Sequence, residues 1–207
     1  LMTEHAGSDY MTQFYDGSWE QVFYRGAFPF TEKYYSENQL CYFRFYFPHF
    51  KLSEWGESEH HVNRSFFNGM GMDMGGSPDT DAQRRVGHAM KENGDALADL
   101  TPEPIVPTDH AKLLANRFDA DGKVFYTFFN NSDADITGGV LEKAPFANTR
   151  YIELLFDEPV EVNSDNRPVI TVKPMQVAGV LAVPAVLDVK AEARAGEYSI
   201  VFPADAG

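Results

Sequence analysis

Cysteine is almost missing from this chain: Cys41 is alone among 207 residues. That excludes an intrachain disulfide framework and a cysteine-rich zinc site. Basic residues are also scarce, with 17 Lys and Arg against 31 Asp and Glu, a formal charge of −14. Binding to a phosphate backbone needs a basic face, so a nucleic-acid partner is not expected. No apolar run approaches the roughly 18 residues of a membrane span. The first residues carry neither a charged nor an apolar leader pattern, so no signal peptide is expected there. No Gly-x-Ser-x-Gly elbow marks a serine nucleophile, and no Lys-Ser or Lys-Thr follows the glycines of residues 69–76 to make a phosphate loop.

Hydrophobic residues are 43% of the chain and aromatics 14%, enough for a packed core. The expectation is a soluble, acidic, globular protein of one or two domains; the sequence does not fix its compartment, and a secreted or cell-surface placement is compatible with it. The aromatics are unevenly spread: residues 1–70 hold 19 of the 29 and residues 71–117 none. That break suggests two differently built regions. Thr101–Pro107 carries three prolines near it and reads as a linker, so the boundary is placed near residue 105. Residues 1–104 form one expected domain and 105–207 the other, with proteolytic cutting expected at 101–110.

Upstream, Leu1–Thr3 looks like a strand leading straight to Glu4, as though the sequence starts within a larger protein. Leu40–Phe47 reads by composition as a buried strand, although a short apolar run also suits a buried helix. Ser65–Met72 contains two glycines and suggests a strand where backbone approaches something closely. Residues 81–100 are the clearest helix, with Val86, Met90, Leu97 and Leu100 at helical spacing and Thr80 among the cap candidates. Downstream, short period-two runs at 124–129, 151–156, 169–172, 177–183, 186–189 and 198–202 suggest an antiparallel sandwich. Asp119–Gly122 starts like a calcium loop, but the ligand glutamate is replaced by Asn130, and a hairpin turn fits better.

If Leu1–Thr3 ends a barrel strand, Glu4 stands at the carboxyl rim, where such folds keep their chemistry. His5 beside it is placed to orient a carboxylate or touch substrate. Asp9 and Asp16 fall in the following loop, and Asp73 ends the next strand-like run. Paired carboxyl groups are what hydrolysis of a glycosidic bond needs. Tyr10, Phe14, Tyr15, Trp19, Phe23 and Tyr24 crowd the same region, and aromatic faces match the C–H faces of sugars. Glu4, His5, Asp9, Asp16, Trp19 and Asp73 are therefore the candidate substrate-binding residues, each weighed against solvated loop acid or core packing. Glu59-His60-His61 lacks the i,i+4 spacing of a zinc helix and reads as a surface loop. No metal and no cofactor are expected.

Thr3–Asp9, Phe14–Gly17, Tyr42–Pro48, Phe67–Asp73 and Pro102–Thr108 together resemble the C-terminal part of large glycoside-hydrolase-like proteins. These carry a (β/α)8 barrel distantly similar to α-galactosidase-type enzymes, then a β-sandwich. The resemblance spans roughly residues 1–183. It implies the C-terminal portion of a barrel followed by an antiparallel sandwich, a glycan as ligand, and the rest of the barrel or another subunit as partner. It also implies that the catalytic carboxylates come from middle strands outside this chain. A non-catalytic carbohydrate-binding module and a structural or assembly module are the other readings.

Overall fold

The computed structural model describes residues 2–4, 14–20, 40–55, 58–73, 80–156, 158–185, 190–194 and 197–201. In chain order the first elements are β1 (Met2–Glu4), β2 (Gly17–Glu20), α1 (Tyr42–Tyr46), β3 (Lys51–Trp55), α2 (Glu59–Phe67) and β4 (Gly71–Asp73). The helices α3 (Asp81–Glu92) and α4 (Gly94–Leu97) follow. The next strands are β5 (Leu113–Ala120), β6 (Lys123–Asn130), β7 (Ile136–Gly138), β8 (Thr149–Glu153) and β9 (Glu161–Val162). β10 (Pro168–Val172), β11 (Val177–Pro184), β12 (Lys190–Arg194) and β13 (Glu197–Val201) complete the order. Among the described residues no helix is long and apolar enough to cross a membrane.

β1 to β4 form one parallel sheet in sequence order, with helices in the β2–β3 and β3–β4 connections. Parallel neighbours need such crossovers, which accounts for the strand–helix alternation. The rest is antiparallel: a four-stranded sheet ordered β5-β6-β11-β8, a three-stranded sheet ordered β7-β10-β9, and the hairpin β12-β13.

Two apolar clusters hold these layers. Tyr126 and Phe128 of β6 pack with Ile136 of β7, Ile170 and Val172 of β10 and Val180 of β11, so the two antiparallel sheets share one core. Phe125 and Phe129, the alternate residues of β6, instead join Val62 and Phe66 of α2, Val86 of α3 and Leu97 of α4. β6 is thus buried on both faces, which is why its sequence is an almost unbroken apolar run. Gly179 of β11 lies under α2: a Cβ there would stand 2.7 Å from the Phe66 ring, so only glycine allows this approach.

Several sequence expectations change here. Tyr42–Tyr46 is a helix rather than a strand, because its residues sort with a period of four. Phe43 and Phe47 touch at 4.8 Å between ring centroids on the buried side, while Tyr42 and Tyr46 stack at 6.4 Å on the exposed side. Ser65–Met72 is the end of α2, a turn and the start of β4. Gly69 makes that turn at φ +61, with Phe118 and Leu97 packed where its side chain would be. Glu59-His60-His61 is the first turn of α2 rather than a loop, capped by Ser58, whose hydroxyl accepts from the His61 N–H at 3.3 Å. The helix of residues 81–100 divides into α3 and α4, and Thr80 and Gln83 form a capping box at its start. Asp121-Gly122 is the hairpin turn between β5 and β6. β5 itself was not foreseen, and residues 186–189 lie outside the described residues.

The proline-rich segment is not a free tether. Glu103 and Arg117 exchange both backbone hydrogen bonds at 2.9 Å, and the Val106 N–H donates to the Ala115 carbonyl at 2.9 Å. The Ile105 N–H donates to Asn116 Oδ1 at 3.0 Å. Proline cannot donate, so the residues between the prolines supply these bonds to β5.

Candidate functional site

The register of the parallel sheet decides what its strand ends bring together. Glu4 pairs with Trp19, Trp19 with Ser53, and Ser53 with Gly71. Trp55 pairs with Asp73 two residues further along the strands. Because strand positions alternate between faces, these two rows belong to one face of the sheet. The row between them runs Glu20, Glu54, Met72 and belongs to the other face. Met72 packs against the cluster built from α2, α3 and α4, and Leu52 and Met70 of that same parity pack with Phe43 and Phe50 around α1. The helices therefore cover that second face. At the described positions on the face of the Glu4 and Trp55 rows, Lys51 and Gly71 are exposed, Ser53 is half-buried and Gly17 is buried, and Lys51, Ser53 and Gly71 line a cleft shared with residues of α3 and α4.

Of the predicted site residues, Glu4, Trp19 and Asp73 fall in the carboxyl-terminal parts of β1, β2 and β4. Glu4 and Trp19 are direct register partners; Asp73 is three strands from Glu4, about 14 Å along a sheet. Asp16 is not with them. It precedes Gly17, the first residue of β2, and its carbonyl accepts from the Lys51 N–H at 2.9 Å, at the amino end of the sheet. His5 and Asp9 lie outside the described residues, as do Tyr10, Phe23 and Tyr24.

Sequence reading missed Trp55 and Glu54, both at the carboxyl end of β3. The signal was weak: Lys51–Trp55 mixes charged and apolar residues over five positions, too short for a clear period. One feature of composition does single out this end. The chain has 2 tryptophans, and both stand in the carboxyl-terminal half of adjacent strands.

The sheet is fixed from behind by a buried cation. Arg44 of α1 is 2% exposed; its Nη2 donates to the Leu97 carbonyl at 2.8 Å and its Nε to the Gly69 carbonyl at 3.3 Å. It thereby ties α1 to the turn before β4 and to the end of α4. Asn68 adds a second tie, accepting from the Cys41 N–H at 2.6 Å. Cys41 is buried and reduced, with no disulfide.

No protein-family model matches this chain, and no curated protein sequence matches it. Solved structures do match. An α-amylase from Anoxybacillus, described as a new glycosyl hydrolase subclass, superposes with a TM-score of 0.58 at 12% identity, covering 90% of this chain and 52% of its own. A noncanonic maltogenic α-amylase from Thermotoga neapolitana gives 0.55 at 13% identity over 89% of this chain and 54% of its own. An α-amylase from H. orenii gives 0.55 at 10% identity over 88% and 53%. The chain therefore has a glycoside-hydrolase-like fold and spans about half the length of the structures it matches.

Proposed function

We propose that this chain is the C-terminal part of a glycan-acting, glycoside-hydrolase-like protein, with its sugar site at the carboxyl ends of β1–β4. In this reading the parallel strands and their helices are the last units of a (β/α)8 barrel, and the antiparallel sheets are a β-sandwich with its boundary near residue 105. The observation that carries it is that Glu4, Trp19, Trp55 and Asp73 fall in the carboxyl-terminal parts of four neighbouring parallel strands, within a glycoside-hydrolase-like fold. Carboxyl ends of parallel strands are where such folds place their ligands.

The residue types suit a sugar. Tryptophan supplies a flat apolar face and one N–H donor. Carboxylates accept hydrogen bonds from hydroxyl groups. Hydrolysis would proceed by carboxylate acid/base chemistry, one group protonating the leaving oxygen and the other acting as base or nucleophile. Four parallel strands do not close a barrel of eight, so the partner in this proposal is the remaining strands, in the same protein or another subunit.

Turnover of a panel of nitrophenyl glycosides tests this. The 207-residue chain by itself is expected to hydrolyse none of them, and a protein that includes the remaining strands is expected to turn over at least one. Turnover by the chain alone, abolished in Glu4→Gln, would place the whole catalytic pair within these strands and contradict the division of labour proposed.

A further inference from the structure

A cleft of about 700 Å3 lies apart from the strand ends, between the first turns of α2 and α3 and the strands β10 and β11. That volume is in the usual range for a small-ligand site. Its lip is built around an aromatic ring. Phe156 is 48% exposed, unusually open for a phenylalanine, and the Arg85 guanidinium sits over the ring at 4.9 Å.

This ring is held in place. Glu153 ends β8 and is only 7% exposed, and both its carboxylate oxygens turn back onto the chain. Oε1 and Oε2 accept from the Leu155 N–H at 2.9 and 3.0 Å, and Oε2 from the Phe156 N–H at 2.6 Å. A buried carboxylate spent on two backbone donors fixes the turn and leaves Leu155 packed inside and Phe156 outside.

The walls carry hydroxyl and amide groups. Thr137 and Thr171 share a hydrogen bond at 2.8 Å, and Asn63 Nδ2 donates to Gln176 Oε1 at 3.2 Å. Glu59, Asp135, Glu158 and Glu161 outnumber Arg85 and Lys173 around it, which disfavours an anionic ligand. An aromatic lip, paired hydroxyls and amides, and acceptor carboxylates fit a neutral polyhydroxylated ring.

Glu59 on its wall follows Trp55 by four residues, so the two lie within about 14 Å of one another. We propose that this cleft is a remote subsite for the same glycan, holding sugar units of a long chain beyond those at the strand ends, with Phe156 as its platform and Glu153 as a positioning residue. The proposal rests on the strand-end reading, and its test separates the two.

Isothermal titration of the intact protein with maltoheptaose, cellohexaose and the matching disaccharides is the experiment, run beside the intrinsic fluorescence of Trp19 and Trp55. Phe156→Ala should weaken binding of the long sugar about fivefold, the usual worth of one aromatic contact, and leave the disaccharide unchanged. Thr171→Val, which keeps the side-chain volume, should shift it in the same direction. Unchanged long-chain affinity in both variants, with the fluorescence response intact, would overturn the subsite and leave the strand-end site standing. Calorimetric binding lost in Phe156→Ala without any fluorescence response would keep the cleft as a glycan site and remove the strand-end reading. Saturable spermidine binding lost in Phe156→Ala, with no sugar bound, would overturn the proposal in favour of a cationic ligand.

Discussion

Asn116 carries more of this structure than its place in a strand suggests. It is fully buried in β5; its Nδ2 donates to the Phe67 carbonyl at 2.8 Å, and its Oδ1 accepts from the Ile105 N–H at 3.0 Å. The same Phe67 carbonyl receives the Thr127 hydroxyl at 2.6 Å. One side chain thus joins the end of α2, the proline-rich segment and the strand. Asn116→Ala would leave the Ile105 N–H unpaired, a cost of about 2–3 kcal/mol. A thermal melt should fall by roughly 5–10 °C, and a change under 1 °C would show the joint to be dispensable. Tyr126 gives a pH test. Burial holds its phenol well above the ordinary value, Glu142 adds to this, and Arg117 opposes it. The folded state therefore keeps a proton that the unfolded chain releases near pH 10, so this contribution is full below about pH 10 and lost above it. Urea midpoints should be level from pH 8 to about 9.5 and then decline, and Tyr126→Phe should flatten the decline; an identical decline in that variant would assign it elsewhere.

At the scale of elements, what the sequence made legible followed from local chemistry. The α3 cap, the Asp121-Gly122 turn and the alternation of β10 are written in neighbouring residues. What misled was burial. The run taken as a strand buried on both sides, Leu40–Phe47, contains α1, while the strand that is buried on both sides is β6. The two tyrosines and two phenylalanines four apart in α1 held the helical signal, masked by the strand preference of aromatics. Glu4 and Asp73 each end a short strand, whereas Asp16 precedes one, and that difference was open to a reading of neighbouring residues only for the two that end a run. The proline-rich segment was read as exposed linker, but its donors are paired along β5. A glutamate-specific protease should therefore spare Glu103 in the native protein and cut there in urea. Prompt native cleavage at Glu103 would mean that this pairing is open in solution.

For the molecule as a whole, negative charges are in surplus by 14, and the shared cluster of α2, α3, α4, β5 and β6 joins its parallel and antiparallel parts. Neither composition nor period could reveal that joint, because it depends on which face of β6 meets which helix. Trp19 and Trp55 stand in the carboxyl-terminal parts of the adjacent strands β2 and β3. Those are the chain's 2 tryptophans, so its indole fluorescence arises at the strands of the proposed sugar site. Titration with linear oligosaccharides while following that emission is the most direct measurement. The account predicts a saturable change in intensity or wavelength that is weakened by Asp73→Asn. Calorimetric binding of the same sugars with unaltered tryptophan emission would contradict a glycan site at the strand ends.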